Sequence, residues 1–280
     1  MKTAKGVITI LSDNSVPGHS DTIAEHGFAA LVETEEGSFL FDTGKGKTII
    51  YNASILKKDL RKINKIVLSH GHNDHTGGLP DVLLSTGKRD VFAHPSVFAE
   101  RYRYKETGKE YAGIPYHRAF LEKLGARFNF NREFIEIEKG VYLTGEVPRK
   151  TSFERGDMDN RYLIEGGKEI PDLILDDQSL ILNATRGIVI LAGCAHSGII
   201  NILNYTIGIT GKDTIFAIVG GTHIGFSGEE QREETIKTLK SFNFRHIIPS
   251  HCTGQETVIR LWEEFPRQCQ FSYVGTTFEF

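Results

Sequence analysis

Apolar residues in the first forty positions come in short runs cut by turn formers: Gly6 to Leu11, Gly27 to Glu33, and Ser38 to Phe41, which runs into Asp42-Thr43-Gly44. Runs of that length bounded by Gly, Asp and Ser read as strands, and Glu35-Glu36-Gly37 reads as a hairpin turn. From Lys47 the period lengthens. Ile49, Ile50, Ala53, Leu56 and Leu60 fall on one face of an amphipathic helix, and Lys65 to Ser69 follows as a short buried strand. The same grammar returns later, with strands expected at Ser179 to Asn183, Gly187 to Ala192, Thr214 to Val219 and Arg245 to Pro249. Helices are expected at about Ser197 to Ile209, Glu229 to Phe242 and Glu256 to Phe265. Strands followed by covering helices, twice over, predict an α/β protein of two packed sheets with helices outside.

Between the halves, residues 95–171 differ in character. From Arg101 to Arg127 the cations outnumber the acids by four, with Tyr102, Tyr104, Tyr111, Tyr116 and Phe120 interleaved. Such a stretch suits either a solvated helical hairpin with long basic stems or a cap that welcomes a planar anion. The organisation expected is one domain over 1–280 with 95–171 as a cap insertion.

Composition narrows the class. Charged residues make up 25% and hydrophobic residues 39%, the profile of a soluble globular protein, and no apolar run nears the roughly 18 residues of a membrane span. A net charge of -3 argues against wholesale binding to nucleic acid or an anionic membrane, and leaves small anionic or aromatic molecules as partners. Three cysteines in a chain of 280 residues do not suggest a disulfide framework, and the apolar run near Met1 is too short for a signal-peptide core. A cytoplasmic protein is expected. Nothing in the pattern sets an oligomeric state.

The densest chemistry is Ser69-His70-Gly71-His72-Asn73-Asp74-His75-Thr76-Gly77-Gly78-Leu79, directly after a predicted strand. Three histidines and an aspartate within six positions make little sense as packing. Imidazole and carboxylate together suit a divalent metal, zinc first, with iron or manganese also accommodated. In an extended segment His70 and His72 point the same way and can grip one ion, while Asp74 and His75, past the bend, can face a second.

This pattern resembles the signature of the metallo-β-lactamase superfamily, and the resemblance extends over most of the chain. It implies a four-layered αββα sandwich holding one or two divalent metals at the sheet edges. Asp42, in Phe41-Asp42-Thr43-Gly44, is then the strand-end aspartate that supports the metal loop, a role that fits a carboxylate orienting ligands by hydrogen bonds. His196, in Gly193-Cys194-Ala195-His196-Ser197-Gly198, completes the site of His70 and His72. His251, in Ser250-His251-Cys252, joins Asp74 and His75. One departure stands out: where the family has an aspartate bridging both metals, this chain reads Gly220-Gly221-Thr222-His223. A neutral imidazole offers one lone pair and cannot bridge as a carboxylate does. His223 is therefore a ligand, an acid/base group beside the metal, or a structural residue. Cys194 and Cys252 sit beside the His196 and His251 positions and as thiolates could coordinate, but the simpler expectation is two small buried side chains, and of the remaining histidines only His26 is expected near the pocket.

The segments Glu25-His26-Gly27, Gly145-Glu146-Val147-Pro148-Arg149, Phe153-Glu154 and Asp176-Asp177-Gln178-Ser179-Leu180 are further similar to one group of that superfamily. The group includes the archaeal dihydropteroate-type synthases of methanopterin assembly. Two enzymatic expectations follow. The first is a hydrolase in which metal-activated water attacks a small, phosphate-containing substrate, with Asp74 and His223 catalytic and Arg149 and Lys150 on the anion. The second is a transferase that joins a dihydropterin diphosphate to an arylamine with loss of diphosphate. A metal-binding sensor or redox scaffold is the expectation from another class.

Overall fold

Period-two alternation along the strands decides the architecture. In the strand Gly37–Phe41, Phe39 and Phe41 face one buried layer and Leu40 the opposite one. In Ser179–Ala184, Leu180 and Leu182 share the layer of Phe39 and Phe41, whereas Ile181 packs on the far side. Both sheets are thus apolar on both faces, and each needs a cover on each side.

The computed structural model describes residues 1–155 and 160–280. Its first part runs β1 (Gly6–Ser12), β2 (Ala29–Thr34), β3 (Gly37–Phe41), α1 (Ile49–Ile55), β4 (Ile63–Val67), α2 (Asn73–Thr76), α3 (Leu79–Thr86) and β5 (Arg89–Ala93). The middle runs β6 (Arg101–Lys105), β7 (Gly108–Tyr111), α4 (Arg118–Leu124), β8 (Ala126–Phe130), β9 (Ile135–Glu138), β10 (Val141–Leu143), β11 (Arg161–Glu165) and β12 (Lys168–Pro171). The last part runs β13 (Ser179–Ala184), β14 (Gly187–Ala192), α5 (Ile199–Thr210), β15 (Thr214–Gly220), α6 (Glu229–Leu239), β16 (Asn243–Pro249), α7 (Gln255–Glu264) and β17 (Thr277–Glu279).

One sheet has the order β17-β1-β2-β3-β4-β5-β8 and the other β16-β15-β14-β13-β10-β9. Side chains of both sheets interdigitate between them, among them Ile8, Val32, Phe41, Leu182, Leu191 and Val219. On the outside, α1, α3 and α4 cover the first sheet through Ile49, Val82, Leu83 and Leu121. Ile202 and Leu203 of α5, Leu239 of α6 and Leu261 of α7 cover the second. The layers are therefore αββα, as the resemblance implies. Among the described residues, no helix is long and apolar enough to cross a membrane.

Two local expectations are revised. The helix read from Ile49 to Leu60 stops at Ile55: Lys57 takes a φ of +55°, and Leu60 opens a separate 3-10 turn, Leu60–Lys62. The side chain of Asp59 caps that turn by accepting from the backbone N–H of Arg61. The segment 95–171 divides among all three sheets. β8 pairs in parallel with β5 in the first sheet, and β9 and β10 extend the second. Only β6, β7, β11 and β12 stand apart, as a small sheet of order β12-β11-β6-β7. Aromatic and basic composition marked the whole segment as unusual, but partner choice in a sheet depends on register, which composition does not carry. Positions 156–159 of this segment lie outside the described residues.

The small sheet is anchored by one buried cation. Arg101, 1% exposed, donates through Nη1 and Nη2 to Asp176 at 2.9 and 2.6 Å, and its Nε lies 3.2 Å from Asp172. Removing one partner of a buried ion pair strands the others, at about 3–5 kcal/mol, whereas an exposed i,i+4 pair is worth about 0.3–0.5 kcal/mol. Arg101→Met should therefore lower the denaturant midpoint sharply. Arg118→Ala, which breaks the exposed pair with Glu122, should leave it almost unmoved.

Candidate metal centre

Five strand ends meet at one edge of the sandwich. β3 runs parallel to β4, and β14, β15 and β16 are mutually parallel, so their carboxyl ends deliver Asp42, the His70 loop, Cys194 to His196, His223 and His251 to one place. This is where open α/β sheets bind ligands. Four non-glycine residues here adopt left-handed backbone: Asp42 (φ +60°), Ala195 (+58°), His223 (+57°) and His251 (+50°). Such conformations cost free energy and persist where surrounding structure over-determines them.

The first candidate set is His70, His72 and His196. Ser69 Oγ gives its hydrogen to Asp42 Oδ2 (2.6 Å) and so accepts from His70 Nδ1 (2.8 Å), leaving His70 Nε2 turned toward His72. That nitrogen lies 2.9 Å from His72 Nδ1, and the His196 ring stands 4.8 and 4.9 Å from those of His70 and His72. Burial holds all three imidazoles well below their usual pKa, the His72 and His196 rings also feeling the charge of Arg161. They are neutral, with lone pairs available.

The second candidate set is Asp74, His75 and His251. His75 Nδ1 faces Asp42 Oδ2 at 2.7 Å, and His251 Nδ1 faces Asn14 Oδ1 at 2.9 Å, so both rings turn Nε2 inward. His251 Nε2 is 3.5 Å from Asp74 Oδ2, and His26 Nε2 is 3.2 Å from the same oxygen. Burial works against charge on both Asp74 and His75. Hydrogen bonds from His251 and His26 overcome it for Asp74, whose carboxyl is held well below the usual range. Asp42 and Asp74 overcome it for His75, lifting it to about 9. A ring that holds a proton this firmly against burial stands in surroundings suited to a cation, and metal binding would displace that proton.

Cys194, His223 and Cys252 form a further donor cluster beside these sets. The cysteines are buried as expected, but among donors rather than apolar side chains: Cys194 Sγ is 3.1 Å from His75 Nε2. His223 stacks against His196 with ring centroids 4.2 Å apart. All seven histidines and aspartates expected from the sequence are thus brought together, and His26 joins them at the rim. Arg149 and Lys150 are not. Arg149 donates to the carbonyls of His196 (2.9 Å), Leu173 and Ile174, supporting the His196 loop from behind. Lys150 is exposed and lends its backbone N–H to Asn201. The cations that line the pocket are Lys45, Arg103 and Arg161. The Gly-Glu-Val-Pro-Arg motif follows β10, outside the pocket, so proximity to a metal motif in family pattern did not translate into proximity in space.

Several supporting residues were missed. Asp176 accepts from the Gly71 N–H (2.7 Å), Asp177 from Ser197 N–H and Oγ (2.9 and 2.7 Å), and Gln178 donates to the Leu68 carbonyl (2.9 Å). Three consecutive side chains therefore tie both ligand loops together. Asp13 Oδ1 accepts from the His251 N–H at 2.9 Å. The available signal was positional: Asp13-Asn14 closes an apolar run, as Asp42 does. Gly71 is required by space, since a Cβ there would lie 2.1 Å from the Val97 carbonyl oxygen.

The pocket, about 220 Å³, is lined by His72, Asp74, His196, His223 and His251 and walled by Arg103, Glu110 and Tyr111 of the small sheet. The residues fit a divalent cation. Both ring nitrogens of buried His196 lack a hydrogen-bond partner, an expensive state for imidazole unless a ligand engages them. His70, Cys194 and His196 present donor atoms within 4.8 Å of one another, as do His75, Cys194 and His251.

Comparison with known proteins agrees with this geometry. The metallo-beta-lactamase superfamily model matches residues 23–211. The chain is 30% identical to 7,8-dihydropterin-6-methyl-4-(beta-D-ribofuranosyl)-aminobenzene-5'-phosphate synthase of Methanocaldococcus jannaschii, over 98% of this chain and 96% of that one. It is 35% identical to an uncharacterized protein of the same organism, over 91% and 93%. Among solved structures, Tm1679, described as a metal-dependent hydrolase of the beta-lactamase superfamily, superposes with a TM-score of 0.83 at 28% identity, over 98% of this chain and 99% of that one. Zinc-bound PqqB from Methylobacterium extorquens shares the fold at a TM-score of 0.56 and 16% identity, over 98% and 100%. By its ligand loop, its layers and these likenesses, the chain belongs to the metallo-β-lactamase superfamily.

Proposed function

We propose that the protein is a dinuclear, zinc-dependent hydrolase of a small phosphate-bearing molecule that carries a planar ring. The observation behind this reading is the juxtaposition of two histidine-rich ligand sets with a wall of Lys45, Arg103, Arg161 and Tyr111. His70, His72 and His196 would hold one ion and Asp74, His75 and His251 the other. When bound, such ions polarise a phosphoryl oxygen and lower the pKa of water toward neutrality.

The chain's own residues do the rest. Guanidinium groups of Arg103 and Arg161 suit phosphate oxygens, and Tyr111 offers a face for a ring. Asp74 Oδ2, ionised near neutrality, is the proton acceptor. His26, half exposed beside it, passes the proton to solvent. His223, at the opposite wall against Phe226, donates to the departing oxygen. The small sheet closes over the reaction, which recasts the expected cap as β6, β7, β11 and β12 alone. Free, buried thiols at Cys194, Cys252 and Cys269 suit a reducing compartment such as the cytoplasm.

Whole-length similarity to the M. jannaschii synthase favours a second reading, in which the same cations bind a departing diphosphate and an arylamine attacks in place of water. One preparation separates the two. The hydrolase reading expects turnover of chromogenic phosphodiesters with phosphate-ester products. Inertness toward them, with diphosphate released only when a dihydropterin diphosphate and an arylamine are both present, would transfer the assignment to the synthase.

The metal assignment is checked by elemental analysis. About two equivalents are expected in the wild type, and His72→Ala should retain less than half of that with unchanged far-ultraviolet circular dichroism. Arg161→Ala should raise KM for phosphate-bearing substrates about tenfold or more and leave kcat within a few-fold, the pattern of lost ground-state and transition-state binding together. Arg149→Ala should instead lower metal content, because its contacts are to the His196 loop.

A further inference from the structure

The chain lacks an acid where a carboxylate would join two cations, yet one sulfur stands in the right place. Cys194 Sγ belongs to a donor cluster with His70 and His196 and to another with His75 and His251. It therefore faces one histidine pair from each ligand set, which no other side chain among the described residues does. A third cluster links it to His223 and Cys252. We propose that Cys194 Sγ is the ligand shared by both cations, replacing the missing bridging carboxylate. The proposal rests on the two-metal reading above and adds a thiolate to it.

Three observations support the assignment. The first is chemical: a thiolate sulfur has several lone pairs and is a strong zinc ligand, at about 2.3 Å, whereas His223 can offer a single pair. The second is the contrast with Cys269, which packs in the apolar layer beneath the second sheet. Cys194 belongs to none of the three apolar clusters, and its sulfur stands 3.1 Å from an imidazole nitrogen. The third is the backbone. Gly221 packs on Gly193 and Cys252 so closely that a Cβ would meet the Gly193 carbonyl oxygen at 2.2 Å and Cys252 Sγ at 2.6 Å. This close approach of strand ends brings both sulfurs to the pocket floor. On binding, the Cys194 S–H bond breaks, its proton leaves to solvent, and its electron pairs go to the cations, with no change of oxidation state.

Cobalt(II) titration of the metal-free, full-length protein tests this, because thiolate ligation produces an intense near-ultraviolet charge-transfer band independent of turnover. The wild type should take up two equivalents and show the band. Cys194→Ser should lose the band and bind the second equivalent at least tenfold more weakly, while Cys252→Ser keeps the band. Cys194→Asp should restore two-equivalent binding without the band, and it carries the test if the serine variant does not fold. Two equivalents bound by the wild type with no band would overturn the shared thiolate and leave the two-metal reading standing, as would a band that survives in Cys194→Ser. Failure to bind cobalt at all would overturn the two-metal reading itself.

Discussion

A carboxylate sealed from solvent holds the centre in register. Asp42 accepts from the Ser69 N–H at 2.7 Å, from Ser69 Oγ at 2.6 Å and from His75 Nδ1 at 2.7 Å. A buried carboxylate is tolerable only when its lone pairs are engaged, so these contacts are obligatory as well as orienting. Through Ser69 it fixes the tautomer of His70, and directly it fixes that of His75. One residue of the first sheet thus aims a nitrogen at each of the two ligand sets.

The second sheet supplies the other half by the same means. Asp176, Asp177 and Gln178 lie just before β13 and reach the Gly71, Ser197 and Leu68 positions. Asp176 also takes the Arg101 guanidinium, so the small sheet that walls the pocket and the candidate metal loop share one acceptor. Order in the wall and order in the ligand loop are therefore coupled. The left-handed residues Asp42, Ala195, His223 and His251 sit on the same rim, which places backbone strain where ligand direction matters most.

Layering and the gathering of the candidate donors were legible in the sequence because both rest on short-range signals. Short apolar runs between turn formers marked the strands β3, β13 and β14, and the His70 to His75 spacing marked a candidate metal loop. Arg149 was misplaced because a motif at the end of β10 has no local mark saying which side of the His196 loop it approaches. The middle segment resisted for a related reason. Val141-Tyr142-Leu143 and Arg101-Tyr102-Arg103 join different sheets, and pairing partners are chosen by tertiary register rather than by composition. For Cys194 and Cys252 packing was preferred over coordination because a small buried thiol looks the same in sequence whether its neighbours are apolar or imidazole.

On the proposed reading, the five strand ends build a two-cation centre. Anomalous diffraction at the zinc edge from crystals of the zinc-loaded protein measures it most directly. The account predicts two peaks about 3.5–4 Å apart, as in two-metal sites generally, one beside His70, His72 and His196 and the other beside Asp74, His75 and His251. A pocket without an anomalous peak, with zinc bound elsewhere on the chain, would contradict it.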